Sequence, residues 1–113
     1  MSNYASLYPY KMREAFPYIP YLPQEFKSMK VIVSLKDTAA RVFGVPFVVQ
    51  AAAQAVRSLR DEVNSTDSTS DVCKHPGDFE LYEIAYFNDE TGAVTPLDPP
   101  QMLCRAKDLK ESV

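Results

Sequence analysis

The chain has 113 residues, of which 46 % are hydrophobic and 24 % are charged, a balance typical of one globular domain with a single core. No apolar stretch approaches the ~20 residues that a membrane-spanning helix needs, and the first ten residues lack the basic and apolar regions of a secretory signal. We therefore expect an intracellular protein in which Cys73 and Cys104 are free thiols, with a disulfide between them as the less favoured alternative.

The charge is unevenly distributed along the chain. The formal net charge is −3, which argues against indiscriminate binding to nucleic acid. Residues 30–64 nevertheless carry +2, whereas residues 65–113 carry −6. The basic front half supplies five candidates for contacts with phosphate groups, and an ordinary solvated surface is the alternative for them. These candidates are Lys30, Lys36, Arg41, Arg57 and Arg60.

Residues 1–28 are rich in tyrosine and proline, and they predict an extended N-terminal arm because proline disfavours both helices and central strands. Aromatic side chains stack on unpaired bases, so Tyr4, Tyr8 and Tyr10 are candidates for contacts with single-stranded nucleic acid. The favoured alternative is that these tyrosines pack against the domain that follows, or against a neighbouring subunit.

The domain begins near Met29 with alternating apolar residues over 30–36, which predict a strand. A second extended segment, 42–48, is broken by Gly44 and Pro46. Residues 50–63 have the periodicity of an amphipathic helix, in which Arg57 and Asp61 are spaced to form a weak pair. A polar loop over 64–71 ends this helix.

The back half predicts a long strand over 79–87, a hairpin loop over 88–92 and a short strand over 93–97 that ends at the prolines. A short helix is expected over 101–110. The predicted fold class is α+β: a small antiparallel sheet of three to four strands packed on one main helix. The chain would thus contain the arm, 1–28, and a single domain, 29–113.

The strand over 79–87 has apolar residues on both predicted faces, with Leu81 on one and Tyr86 on the other. One helix covers only one face, so the second face needs the arm, the C-terminal segment or another subunit. We expect a homodimer or higher oligomer in which a second copy buries this strand. The residues assigned to self-association are Phe79, Leu81, Tyr82, Ile84, Tyr86 and Phe87.

Catalytic and metal-binding patterns are missing from the sequence. The one histidine, His75, lies in a His-Pro-Gly-Asp run that is typical of a turn. Cys73, His75 and Asp78 are close in sequence, but no further ligand at zinc-site spacing accompanies them. There is also no phosphate-binding loop or dinucleotide fingerprint. We expect no enzymatic activity, no metal and no cofactor.

Several runs in a fixed order resemble the small nonstructural protein of gokushoviruses, the single-stranded DNA phages of the Microviridae. The resemblance spans about residues 29–97, and residues 1–28 extend beyond the family pattern. It rests on the runs Lys30–Ala40, Val45–Val49, Ala51–Asn64, Lys74–Phe79, Leu81–Tyr82 and Phe87–Gly92.

The resemblance implies a DNA-binding protein that acts in viral DNA replication, at the switch toward single-stranded genome synthesis, in the cytoplasm of the infected bacterial host. The expected partner is DNA, with single-stranded DNA favoured. The alternative is a protein-interaction regulator that binds a viral or host replication or assembly protein. The acidic back half and the two-faced strand motivate that alternative.

Overall fold

The computed structural model describes residues 29–111, so the predicted arm with Tyr4, Tyr8 and Tyr10 lies outside the described residues. The described part is an antiparallel sheet covered on one face by one main helix, which confirms the predicted α+β class. Its strands are β1 (Met29–Asp37), β2 (Val42–Phe43), β3 (Phe47–Val49), β4 (Phe79–Asn88) and β5 (Val94–Arg105). Its helices are α1 (Ala52–Val63), α2 (Asp71–Lys74) and the 3-10 turns Pro76–Asp78 and Ala106–Leu109.

β1 lies at the centre of the sheet, because β4 pairs along one of its edges and the short strands β2 and β3 share the other. β5 pairs with β4, so β5 forms one outer edge of the sheet and β2–β3 form the opposite edge. The break between β2 and β3 falls at Gly44–Pro46, as predicted from those two residues. There the Gly44 N–H donates to the Leu35 carbonyl at 2.8 Å, and the Ser34 hydroxyl donates to the Gly44 carbonyl at 2.7 Å.

A bulge at Ile84 changes which side chains of β4 share a face. The pairing with β1 shifts by one residue there, so Leu81 pairs with Leu35 and Tyr86 pairs with Val31 on the same face. The predicted division, with Leu81 and Tyr86 on opposite faces, is therefore wrong, because simple alternation assumes an unbroken register. Both side chains are buried in the core.

β5 is longer than the sequence predicted. It continues past Pro96, Pro99 and Pro100 as far as Arg105, and only Ala106–Leu109 is helical, as a 3-10 turn. The predicted helix over 101–110 and the early end of the strand are thus wrong. An edge strand tolerates proline, because its outward N–H groups need no partner within the sheet. The four residues Leu97–Pro100 bulge out of the ladder between the partners of Glu83 and Ala85.

The core lies between the inner face of the sheet and α1. The helix buries Ala55, Leu59 and Val63 against the strands, and α2 and the second 3-10 turn add Val72 and Ala106 to the same core. Every helical element that contributes to the core thus packs on one face of the sheet. Among residues 29–111, no helix covers the outer face, which carries Phe43, Val48, Tyr82 and Met102.

The segment between α1 and β4 is organised by local hydrogen bonds. The Ser70 side chain caps α2 by accepting from the Cys73 N–H, and Pro76–Asp78 forms a 3-10 turn, which confirms the turn predicted for the His-Pro-Gly-Asp run. Thr38 then donates from its N–H and its hydroxyl to the Asp78 carbonyl at 2.8 and 3.0 Å. This pair of hydrogen bonds ties the turn to the end of β1.

Candidate nucleic-acid interface

The side of α1 that faces β5 forms an open groove of about 380 Å³. Its apolar part comes from the first turn of α1 and from β5, and its basic part comes from two arginines three residues apart on the helix. A bulge in β5, where Leu81 and Tyr82 pair with Cys104 and Met102, leaves Leu103 without a partner in the ladder. The lining residues are Ala52, Ala53, Val56, Arg57, Arg60 and Leu103. We call this surface the arginine groove.

The two arginines of the groove are free of ion pairs within residues 29–111. The ion pairs there are Lys30–Asp89, Lys74–Asp71 and Arg105–Glu80. The weak ion pair expected between Arg57 and Asp61 is not among them. Both side chains are exposed. Two guanidinium groups with unfilled hydrogen-bonding capacity therefore line one cavity, and guanidinium binds phosphate through charge-assisted, often bidentate contacts.

The N-terminus of α1 opens at the same groove. Ala51, the N-cap residue, makes no side-chain cap, and the first turn of α1 contains no acidic residue. Backbone N–H groups at a helix start have no partner within the helix, and the helix dipole places partial positive charge there. Ala52 and Ala53, which belong to this turn, line the groove, so the dipole adds to the charge of the arginines.

Cys104 lies beside the arginine groove on β5. Burial raises the pKa of its thiol, and the positive charge of Arg60 opposes that rise to a lesser degree. Cys73 is also a free thiol, and its Sγ donates to the Ser65 carbonyl at 3.1 Å. The expectation of two free thiols is therefore confirmed.

The other three predicted phosphate-binding residues do not join Arg57 and Arg60. Lys30 pairs with Asp89 at 2.7 Å, and its side chain is only 18 % exposed. Lys36 lies on the outer face of the sheet, whereas Arg41 lies in the turn between β1 and β2 with a φ of 61°. The five basic residues therefore do not form one surface, because β1 carries two of them on the outer face and α1 carries two on the inner side.

A second cluster on the outer face joins Lys36 to two aromatic rings. The Lys36 Nζ lies 5.5 Å from the Phe43 ring centre and 5.9 Å from that of Tyr82, and the two rings meet edge to face at 5.2 Å. Tyr82 also donates to the Glu80 carboxylate at 2.9 Å. The sequence did not predict Phe43 as a member of this cluster. The hairpin spacing that pairs Lys36 with Phe43 across a four-residue turn is the signal that identifies it.

The residues assigned to self-association divide into three groups. Leu81 and Tyr86 are 1 % and 0 % exposed within the single chain, and Phe79 packs partly buried against the same core. Ile84 lies at the bulge, and Tyr82 and Phe87 lie on the outer face, all three half-buried. Leu81 and Tyr86 are thus covered by the chain's own helix, and a second copy is not needed to bury them.

Three further observations concern residues 29–111. No three His, Cys, Asp or Glu side chains converge to a metal-binding cluster within residues 29–111. No helix in this part of the chain is long and apolar enough to cross a membrane. His75 is exposed, and its backbone N–H donates to the Asp71 carbonyl at 2.8 Å.

The fold and the groove define a small α+β domain in which one helix presents two arginines, without ion pairs among residues 29–111, beside an edge strand. The chain belongs to the Phage ORF5 protein family, whose model matches residues 30–109. It is therefore a phage protein, as the resemblance in the sequence implied, and the match spans β1 to the last 3-10 turn, including the whole arginine groove. No curated protein and no solved structure matches the chain.

Proposed function

We propose that this phage protein is the nonstructural protein of a gokushovirus, and that it binds single-stranded DNA during viral DNA replication, at the switch toward single-stranded genome synthesis. Two independent lines support the proposal. The ordered runs of the sequence resemble that family, and the arginine groove has the chemistry to bind a phosphate backbone. The single observation that carries it is the pair Arg57 and Arg60, unpaired within residues 29–111 and lining one cavity.

The dimensions and lining of the groove favour a single strand over a duplex. A volume of about 380 Å³ accommodates a small number of phosphate and sugar groups on one side of α1. Val56 and Leu103 offer apolar surface to an unstacked base beside the guanidinium groups, and a base can make this contact only when it is not stacked within a duplex.

The net charge of −3 makes a local site necessary for DNA binding. A protein with an overall negative charge is repelled by DNA at long range, so binding depends on a few close contacts rather than on a general basic surface. This predicts modest affinity with a small dependence on salt, because about two phosphates are neutralised at the arginine groove.

The proposal is tested by fluorescence anisotropy with a labelled oligothymidine at several salt concentrations. We expect binding at low salt that weakens as salt is added. For Arg57→Gln/Arg60→Gln, the affinity at low salt should fall about tenfold or more, because two charge-assisted contacts are lost. The slope of log K against log salt should become shallower by about 1.4, since each phosphate contact with a single strand contributes about 0.7.

The matched control is Lys74→Gln/Lys107→Gln, which removes the same amount of charge from two exposed positions outside the groove. It should change the affinity much less than the arginine variant does. Equal losses in the two variants would mean that only net charge matters, and the groove would then be rejected as the site. Absence of binding at low salt and tens of micromolar protein would end the proposal of DNA binding itself.

A protein-interaction regulator is the second candidate function, and the open outer face of the sheet favours it. This face carries aromatic and aliphatic side chains, with Met102 and Val94 about half exposed, and no helix within residues 29–111 covers it. Affinity purification from infected cells should then recover a viral or host protein in stoichiometric amount with Met102→Glu abolishing the capture. Recovery of DNA without any protein partner would argue against this candidate.

A further inference from the structure

The apolar side chains that the fold leaves most exposed are concentrated at one edge of the sheet. We call residues 42–49, which comprise β2, the Gly44–Pro46 break and β3, the edge segment. It contains five of the seven large hydrophobic residues that are exposed within residues 29–111, and Val45 is the most open of them at 88 %. These five are Val42, Phe43, Val45, Phe47 and Val48.

A small apolar cavity of about 100 Å³ lies beside the edge segment, on the side of α1 opposite the arginine groove. Leu35, Phe47, Leu59 and Leu81 supply most of its apolar lining, together with Ala55, and the exposed Ser58 and Glu62 supply its polar atoms. We call it the edge cavity. Its volume suits one aliphatic side chain, since a dry cavity of about 150 Å³ holds a molecule as large as benzene.

We propose that the edge segment is a self-association surface, in which Val45 of each copy inserts into the edge cavity of a second copy about a two-fold axis. The exposed side chain and the cavity are neighbours on one edge, because the Gly44 N–H is bonded to the carbonyl of Leu35, a cavity residue. One two-fold axis therefore brings both insertions together, which is the reciprocal geometry of an isologous dimer.

The charge pattern, together with the exposed side chain and the cavity on one edge, favours a second copy as the partner. No Asp, Glu, Lys or Arg occurs between residues 42 and 56, so the edge segment itself brings no like charges together, and Glu62 is the one charged residue among those that line the edge cavity. Most edge strands carry charged residues that prevent such contacts, and this one does not. Leu81 and Tyr86, two of the residues that the sequence predicted for self-association on β4, are already buried within the single chain, so we place the interface on the edge segment instead.

The interface works through side-chain insertion rather than through extension of the sheet. β3 has only three residues, and the preceding Pro46 has no N–H to donate to another strand. The interruption at Gly44–Pro46 also breaks the row of hydrogen-bonding groups along this edge. These features limit strand pairing with another chain, yet they leave the Val45 side chain outward and accessible.

Sedimentation velocity of the full chain over a wide range of concentration tests the proposal. We expect a monomer–dimer equilibrium without DNA, and Val45→Asp should raise the dimer dissociation constant about tenfold or more, because a buried aliphatic contact is lost at each of two sites. Val94→Asp is the matched control: it adds the same charge at another exposed valine, on β5. A strict monomer at all concentrations, or a dimer that Val45→Asp leaves intact, would overturn the proposal.

A cross-linking experiment tests the geometry independently of affinity. In a Cys73→Ser/Cys104→Ala background, Val45→Cys protein is mixed with Ser58→Cys protein and oxidised. A disulfide between position 45 of one copy and position 58 of the other should form far more readily than with Val94→Cys in place of Val45→Cys. Equal yields from the two mixtures would contradict the insertion. Circular dichroism of each variant checks that the fold is retained, and none of these changes replaces a residue that lines the arginine groove.

Discussion

At the scale of single residues, Glu83 is a carboxyl group buried in the core with one oxygen unsatisfied. It lies on the inner face of β4, paired with Val33, and is only 1 % exposed. Tyr86 donates to its Oε1 at 3.3 Å, whereas its Oε2 has no hydrogen-bond partner within residues 29–111. Burial raises the pKa of this carboxyl, and the Tyr86 hydrogen bond opposes the rise to a lesser degree.

The raised pKa of Glu83 predicts that stability falls as pH rises. Above the ordinary glutamate pKa of 4.5, the unfolded chain releases a proton that the folded chain still holds. The stabilising contribution is therefore complete below that pH and is lost as pH rises through the folded-state value. Glu83→Gln removes the charge but retains a carbonyl acceptor for Tyr86. Urea unfolding should show this variant to be more stable than the parent by about 1 kcal/mol at neutral pH.

The advantage of Glu83→Gln should shrink as the pH is lowered below the ordinary glutamate pKa, where the parent carboxyl is neutral in both states. Glu80→Gln serves as the comparison, because Glu80 lies on the same strand but on the outer face, next to Arg105. A Glu83→Gln variant that is less stable than the parent at neutral pH, but not below the ordinary glutamate pKa, would mean that the ionised carboxylate is stabilised in the core.

At the scale of elements, the sequence predicted what depends on local pattern. Alternating apolar residues located β1, helical periodicity located α1 to within two residues, and Gly44 with Pro46 located the break in the edge segment. The hairpin tip at 88–92 was also predicted, and Gly92 there has the left-handed φ of 77° that a turn glycine provides. These features are set by neighbours in the chain, so a single sequence contains enough information to place them.

The elements that the sequence misplaced depend on the partner strand. The bulge at Ile84 moves Tyr86 to the inner face, and β5 continues through three prolines because it lies at the edge of the sheet. Neither register nor position within the sheet can be inferred from alternation alone. The candidate site shows the same limit, since Arg57 and Arg60 share a groove by helical spacing, whereas their neighbour Leu103 is brought there by a bulge about 45 residues further along the chain.

At the scale of the whole molecule, α1 divides the inner side of the domain into two surfaces of different chemistry. One flank, toward β5, carries Arg57 and Arg60, and the other, toward β3, carries Ser58 and Glu62 beside the edge cavity. Side chains three or four residues apart lie on the same flank of a helix, so Arg57 lies with Arg60 and Ser58 lies with Glu62. The buried stripe of α1 separates the two flanks. The position of both flanks depends on the hydrogen bonds that fix the C-terminus of α1.

Asn64 holds that C-terminus to residues 109–111. Its Nδ2 donates to the Arg60 carbonyl at 2.9 Å and to the Leu109 carbonyl at 3.0 Å, and its Oδ1 accepts from the Glu111 N–H at 2.8 Å. The last two bonds span 45 and 47 residues of sequence. The Asn64 side chain therefore joins α1 to residues 109–111, where the Lys110 Nζ also donates to the Val63 carbonyl at 3.3 Å.

Asn64→Ala should lower the free energy of unfolding by about 1–3 kcal/mol, because it removes three hydrogen bonds and leaves the Leu109 carbonyl to find another donor. Hydrogen exchange should accelerate at the Glu111 amide and in the 3-10 turn Ala106–Leu109, where Asn64 acts as the clamp. Ser65→Ala is the control, since the Ser65 hydroxyl donates only within the same turn, to the Glu62 carbonyl at 2.8 Å. Asn64→Asp retains the acceptor but loses both donors. An intermediate loss of stability would show that the Nδ2 donors and the Oδ1 acceptor both contribute. Equal stability of the alanine variants at 64 and 65 would show that the segment is held without Asn64.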